Sequence, residues 1–282
     1  MVFVNLKVSL AKGEYLKMIY RQLNKLDEKD FAVLRGPLES GRQSPKSIGR
    51  ILILSVFLQT LLFFLTYVVA ADHTKFPFKD ILFYLHLVGT AILILFSILY
   101  SIPFLYKKKQ KTQYLISILV SQNFGLFFVI SSLFLIGSDR IFIINEGSLV
   151  KLTIIMLLLG FLLLIVTRIR FSILLSKGEY RLGSKKAQLR TRFEAKSLLP
   201  IAIIAGTGIS LLLQYIFKNM ISFDGHIMMI ILLGPLLFYT MLFVLPEQLV
   251  ILYCKTRFDS FNFDHDGNLN PFSSEETEVN GI

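Results

Sequence analysis

The sequence predicts an all-α integral membrane protein with six transmembrane helices, N-in and C-in, preceded by a short amphipathic cytoplasmic segment. Three observations carry this. Apolar residues make up 54% of the 282 positions, a larger share than soluble domains usually carry. They gather into runs of about 20 residues, the length a helix needs to cross a hydrocarbon core of roughly 30 Å. Finally, Lys and Arg are shared unequally between the two sets of intervening loops. The ten-residue alternation of a barrel strand is absent. Without a closed barrel, only helices satisfy every backbone group over such lengths.

Residues 1–48 are read as the cytoplasmic segment. Val4, Leu6, Val8 and Leu10 alternate, which fits a short strand or the start of a helix. From Gly13 the pattern is helical, with Tyr15, Leu16, Ile19, Leu23 and Leu26 on one face and Lys17, Arg21, Lys25 and Lys29 around the rest. Such a helix lies on an anionic membrane surface or docks against the protein's own loops. Gly36 to Gly49 (GPLESGRQSPKSIG) reads as a linker. No signal-peptide pattern precedes the first apolar run, so that run is expected to act as its own uncleaved targeting signal.

The membrane domain spans residues 49–254. Its six segments are expected at about 50–70, 81–105, 114–137, 152–175, 198–217 and 226–250. The first lies between Arg50 and Asp72-His73, and the second ends at Lys107-Lys108-Lys109. With the N-terminus inside, cytoplasmic segments hold 25 Lys and Arg, and external ones hold five: Lys75, Lys79, Arg140, Lys151 and Lys218. This asymmetry puts both ends in the cytoplasm and favours an even number of spans. Residues 139–149 (DRIFIINEGSL) read as an apolar turn dipping into the interface. Residues 255–282 read as a disordered polar cytoplasmic tail.

Net charge is +11. The cations flank apolar blocks, so they report topology rather than nucleic-acid binding. The single cysteine, Cys254, excludes an internal disulfide and a cysteine-based metal cluster.

Polar groups at membrane depth are few. His86 lies about two turns from the outer end of the second span, as a ligand-binding or pH-sensing group or as a hydrogen-bonded histidine. Glu247 follows Pro246 near the inner end of the sixth span, as a gating carboxylate or partner of a basic loop, or, if Pro246 ends the span, as a residue in cytoplasmic water. No Asp, Glu, Lys or Arg falls near the expected midplane, which disfavours a proton- or sodium-coupled pump. Gln59 in the first span, and Ser121, Gln122 and Asn123 in the third, either line a polar path or bond between helices. Ala202, Gly206 and Ser210 form a small-residue ridge in the fifth span, suited to a helix seam or a homo-oligomer contact. Gly234-Pro235 interrupts the sixth span and predicts a kink.

Two weaker patterns remain. Lys-Gly-Glu-Tyr occurs at 12–15 and again at 177–180, which hints at a duplicated unit. Asp264, Asp266, Asn268, Asn270 and Glu275 echo a calcium loop, but Leu269 stands where glycine makes the sharp turn and Pro271 follows. Nucleotide-binding, zinc-protease and serine-hydrolase motifs are missing. The histidines at 73, 86, 226 and 265 lack ligand spacing. The expectation is no catalytic residue, no cofactor and no metal.

The functional expectation is a permease-like transport subunit working with cytoplasmic partners, which would dock on residues 1–48 and 176–197. The alternative is a non-transporting interaction protein, for toxin or bacteriocin immunity or for assembly of a secretion system. A membrane enzyme comes third. The expected address is a plasma membrane, and the composition, rich in Ile, Leu, Phe and Lys without Trp, points to a bacterium.

Overall fold

The computed structural model describes residues 23–138, 144–185, 188 and 225–272. Within them it is all-helical. Five long helices form a bundle: α1 (Pro45–Phe64, widening into a π-type turn over Leu65–Ala70), α2 (Lys79–Leu99), α3 (Gln110–Ile136), α4 (Glu146–Ser176) and α5 (Gly225–Arg257). Each carries a stretch long and apolar enough to cross a membrane. They correspond to five of the six expected spans. The expected fifth span, 198–217, with Ala202, Gly206 and Ser210, lies outside the described residues.

The helices begin and end where local chemistry dictates. Ser44 caps α1 by accepting from the Ser47 N–H at 3.2 Å, and Pro45 supplies the fixed φ of a first helical position. Asn145 caps α4 by accepting from the Ser148 N–H at 2.8 Å. The second span was expected to run to Leu105, but α2 ends at Leu99. Ile102 is extended and Pro103 opens a separate short helix, Pro103–Lys108, because a residue before proline is pushed out of the helical region.

α5 also differs from expectation. It runs through Gly234, Pro235 and Pro246 to Arg257, so Pro246 does not terminate it. Glu247 and Cys254 are therefore helical residues.

α3 is the axis of the bundle. About half of its spanning stretch is buried (56%), against 11–22% in the other four. It packs most extensively on α5 and also touches α1, α2 and α4. The surface left outside is apolar: Phe57 on α1, Leu85 and Val88 on α2, and Leu158 and Leu162 on α4 are all more than half exposed. The buried face of α2 is instead polar, with His86, Thr90 and Ser97. Greasy outside and polar inside is the arrangement hydrocarbon solvent selects.

Two apolar clusters close the ends. At one end Ala70, Ala71, Phe76, Phe134 and Leu149 pack together. There Thr74 and Ser138 form an isolated bridge, and the Lys75 N–H bonds the Gly137 carbonyl at 2.9 Å. A Cβ on Gly137 would meet the Thr74 hydroxyl at 2.8 Å and Leu149 at 3.0 Å, so the two loops close only over glycine.

At the other end three segments distant in sequence form a cap. Phe31, Leu34 and Leu38, then Leu175 and Tyr180, then Phe261 and Phe263 share one core with Leu52, Ile116, Ile251 and Cys254. Two expectations fail here. The linker at 36–49 is a packed element: Gly36–Glu39 makes a helical turn that buries Leu38, and α1 starts at Pro45 rather than after residue 49. The tail expected to be disordered from 255 is ordered as far as 272, because Phe261 and Phe263 enter the cap core. Residues 273–282 lie outside the described residues.

The helices alternate in direction between these ends. α1 leaves the cap, α2 returns, α3 leaves and α4 returns. α5 starts at the far end, where Ile230 meets Ser132, and ends in the cap. Residues 23–44 and 258–272 therefore share one end of the bundle.

Candidate functional site

The deepest polar feature is a hydrogen-bonded chain across α1, α2 and α3. Its junction is Asn123, buried on α3. The Asn123 amide nitrogen donates to Gln59 Oε1 on α1 at 3.2 Å and to Thr90 Oγ1 on α2 at 3.3 Å. Its oxygen therefore faces His86 Nε2 on α2, at 3.0 Å. That fixes the tautomer, since Nε2 must carry the hydrogen. Nδ1 is then the acceptor for the Tyr67 hydroxyl at 2.9 Å. The same hydroxyl also lies 3.3 Å from the Leu82 carbonyl. At the other end, Gln59 Nε2 donates to Ser55 Oγ at 3.4 Å, and Ser55 donates to the Leu52 carbonyl at 2.7 Å. The rings of Phe127 and Phe63 flank the imidazole, with centroids 4.4 and 6.0 Å away.

Of the residues singled out from sequence, Gln59, His86 and Asn123 thus meet in one cluster. Sequence reasoning missed Tyr67, Thr90 and Ser55. Their signal was present: Ser55 and Gln59, like His86 and Thr90, stand four residues apart on one helix face. Gln122 does not join them. It donates to the Met241 carbonyl of α5 at 3.2 Å.

Gly234 serves a close approach. A Cβ there would overlap the Ser132 hydroxyl and stand 2.5 Å from the Phe128 carbonyl. Ser132 Oγ in turn lies 3.0 Å from the Ile230 carbonyl. Pro235 and Pro246 have no N–H to give the carbonyls four residues earlier. In both cases a polar side chain of α3 reaches the carbonyl five residues before the proline: Ser132 for Ile230, Gln122 for Met241.

The cap is held by polar contacts between its segments. Arg181, after α4, pairs with Asp30, and the Val33 N–H bonds the Tyr180 carbonyl at 2.9 Å. Arg257 donates to the carbonyls of Leu23 and Asn24 at 2.7 and 3.0 Å. Gln110 and the Phe263 backbone bond reciprocally at 2.7 and 2.9 Å. Buried Lys255 donates to the Phe261 carbonyl at 2.8 Å. Leu23 and Leu26 pack on the cap core, so this part of the expected amphipathic segment docks on the protein itself.

The calcium-loop echo is a hairpin turn. The Asp264 carboxylate accepts from the Asn268 backbone N–H at 2.8 Å and from its side chain at 3.3 Å. These bonds, the backbone one first, hold the carboxyl below the usual carboxylate range. Gly267 takes the positive φ of the turn (93°). Asn270 turns away and donates to the Asp259 carbonyl at 3.1 Å. Glu275 lies outside the described residues. Among the described residues, no three His, Cys, Asp or Glu side chains converge as a metal site.

An apolar exterior, an interior polar chain and five helices long and apolar enough to cross a membrane are the features of the multi-pass helical membrane class. Comparison with known protein families, curated proteins and solved structures finds no match.

Proposed function

We propose that the chain is a six-crossing membrane subunit with both ends in the cytoplasm, which acts through a cytoplasmic protein bound to its cap. The carrying observation is the cap itself. Three segments scattered along the sequence converge on one end and share a core. Lys25, Lys29, Lys177 and Lys185 are exposed on them. A partner with an acidic face complements that surface.

Parity supports the six crossings. α4 ends in the cap and α5 begins at the far end, which is the relation one further crossing between them would give. The cationic bias of the cap-side segments supports placing the cap in the cytoplasm. Tags at the two ends should both be accessible only from the cytoplasm.

The test of function is affinity isolation of the full chain from native membranes in mild detergent. A stoichiometric soluble partner is expected, and Lys177→Glu with Lys185→Glu should release it. Recovery of the chain alone, or a partner indifferent to these charges, overturns the reading.

Transport is the second reading. The Gln59–Asn123–His86 chain at membrane depth favours it, since polar groups there can line a path. Their mutual hydrogen bonds weigh against it, because each group already has its partner. If transport is the role, Asn123→Leu should abolish uptake or export while leaving the partner bound.

A further inference from the structure

The turn between α2 and α3 sits at the cap end, beside the start of α1. A Cβ on Gly49 would stand 3.3 Å from the Tyr106 ring and 3.4 Å from the Ser101 carbonyl. The short helix Pro103–Lys108 buries none of its residues. Phe104 is 68% exposed and Ile102 43% exposed. Leu95 and Ile98 on α2 and Ile51 and Leu54 on α1 are exposed as well.

Exposed cations stand on the same two segments. Lys108 Nζ lies 4.2 Å over the Phe104 ring. Lys109 and Lys111 follow, and Lys46 and Arg50 flank Gly49 on α1; all are exposed. Lys107 is turned towards the tail, where it donates to the His265 carbonyl at 3.0 Å. In water, an exposed phenylalanine on a short helix is unfavourable. At a bilayer interface the ring enters the acyl boundary while the lysines reach the phosphates.

We propose that Ile102, Phe104, Lys108, Lys109, Lys46 and Arg50 form a headgroup-selective site for anionic phospholipid in the leaflet on the cap side. Charge complementarity names the occupant: Lys108 lies over the apolar anchor, and Lys109, Lys46 and Arg50 are exposed on the two segments that meet at Gly49 and Tyr106. Zwitterionic lipid gives the same apolar contact without the net attraction. Its residues are different from the lysines assigned to a protein partner, Lys25, Lys29, Lys177 and Lys185.

The chain has no tryptophan, so Phe104→Trp places a single reporter at the site. The full chain is reconstituted in vesicles of phosphatidylcholine and phosphatidylglycerol, with bromine carried on one lipid or the other. Quenching by brominated phosphatidylglycerol should exceed quenching by brominated phosphatidylcholine by roughly threefold or more. High salt should reduce the preference. Lys46→Gln with Lys108→Gln and Lys109→Gln should bring it to parity while quenching persists. Equal quenching by both lipids in the unaltered charge background would show ordinary bilayer contact and overturn the site. Absence of quenching by either would place Phe104 outside the bilayer and overturn it as well.

Discussion

The His86 imidazole on α2 gives its Nε2 hydrogen to the Asn123 oxygen on α3 at 3.0 Å, and this bond ties the polar chain of the bundle together. Asn123 has used both its amide hydrogens on Gln59 and Thr90. One side chain therefore links three helices that have no hydrophobic reason to associate in lipid.

Asn123→Ala should cost about 1–3 kcal/mol, because it strands a buried imidazole N–H and the Gln59 oxygen. His86→Phe should cost less. A phenyl ring keeps the stacking on Phe127, and the Tyr67 hydroxyl retains the Leu82 carbonyl. The reporter is built in: the single cysteine, Cys254, is fully buried in the cap core, so a thiol-reactive dye marks unfolding on heating in detergent. Equal melting of Asn123→Ala and the parent would refute the linking role.

Gly234 makes a sharper prediction. Its α-carbon packs against the Phe128 backbone carbonyl, which cannot rotate away. Gly234→Ala should therefore lower stability by about 1–3 kcal/mol through overpacking. Gly89→Ala is the control. Nothing lies within 4 Å of a Cβ there, and alanine is the better helix former. The dye-labelling melt of Gly234→Ala should fall below the parent, and that of Gly89→Ala should not.

These two sites show what the sequence disclosed. Five of the expected spans were legible because hydrocarbon length and apolar content are properties of contiguous residues. The polar residues at depth were legible one by one, since each is anomalous in an apolar run. Their grouping was not. Gln122 and Asn123 are neighbours in sequence but, about 100° apart around α3, bond different helices, one α5 and the other α1 and α2. The cap was hidden for a related reason. Phe261 and Phe263 look like isolated apolar residues in a polar tail until Phe31 and Ile116, far away in the chain, are brought into one core with them. Pro246 misled because proline weakens a helix by one bond, and at this position Gln122 bonds an adjacent carbonyl of the same turn.

The Asp30–Arg181 pair should be unequal in its two halves. The Arg181 side chain is 63% exposed and that of Asp30 6%. Arg181→Gln should cost no more than about 1 kcal/mol, and the loss should shrink at high salt. Asp30→Ala should cost more. It also removes the acceptor of the Asp27 N–H at 2.9 Å and opens space beside Phe31 and Leu34 in the cap core. Cys254 labelling below the melting range, a measure of local opening of the cap, should rise more for Asp30→Ala than for Arg181→Gln. The reverse order would mean the pair does not anchor the cap.

The tail hairpin should respond to acid through Asp264. Its carboxyl is held below its ordinary value of 3.8 by the Asn268 backbone N–H. A group whose folded pKa is depressed stabilises the fold above its unfolded pKa and loses that contribution as pH falls through the folded value. The turn should therefore be indifferent to pH near neutrality and open only below about 3.8. Hydrogen exchange at the Asn268 amide, corrected for its intrinsic pH dependence, reads this directly. Asp264→Asn keeps an acceptor oxygen without a titrating proton, so its weaker protection should not change over the same acid range. Asp264→Ala should lose protection at every pH. If the parent amide kept its protection through the acid range, the carboxylate would not be what closes the turn.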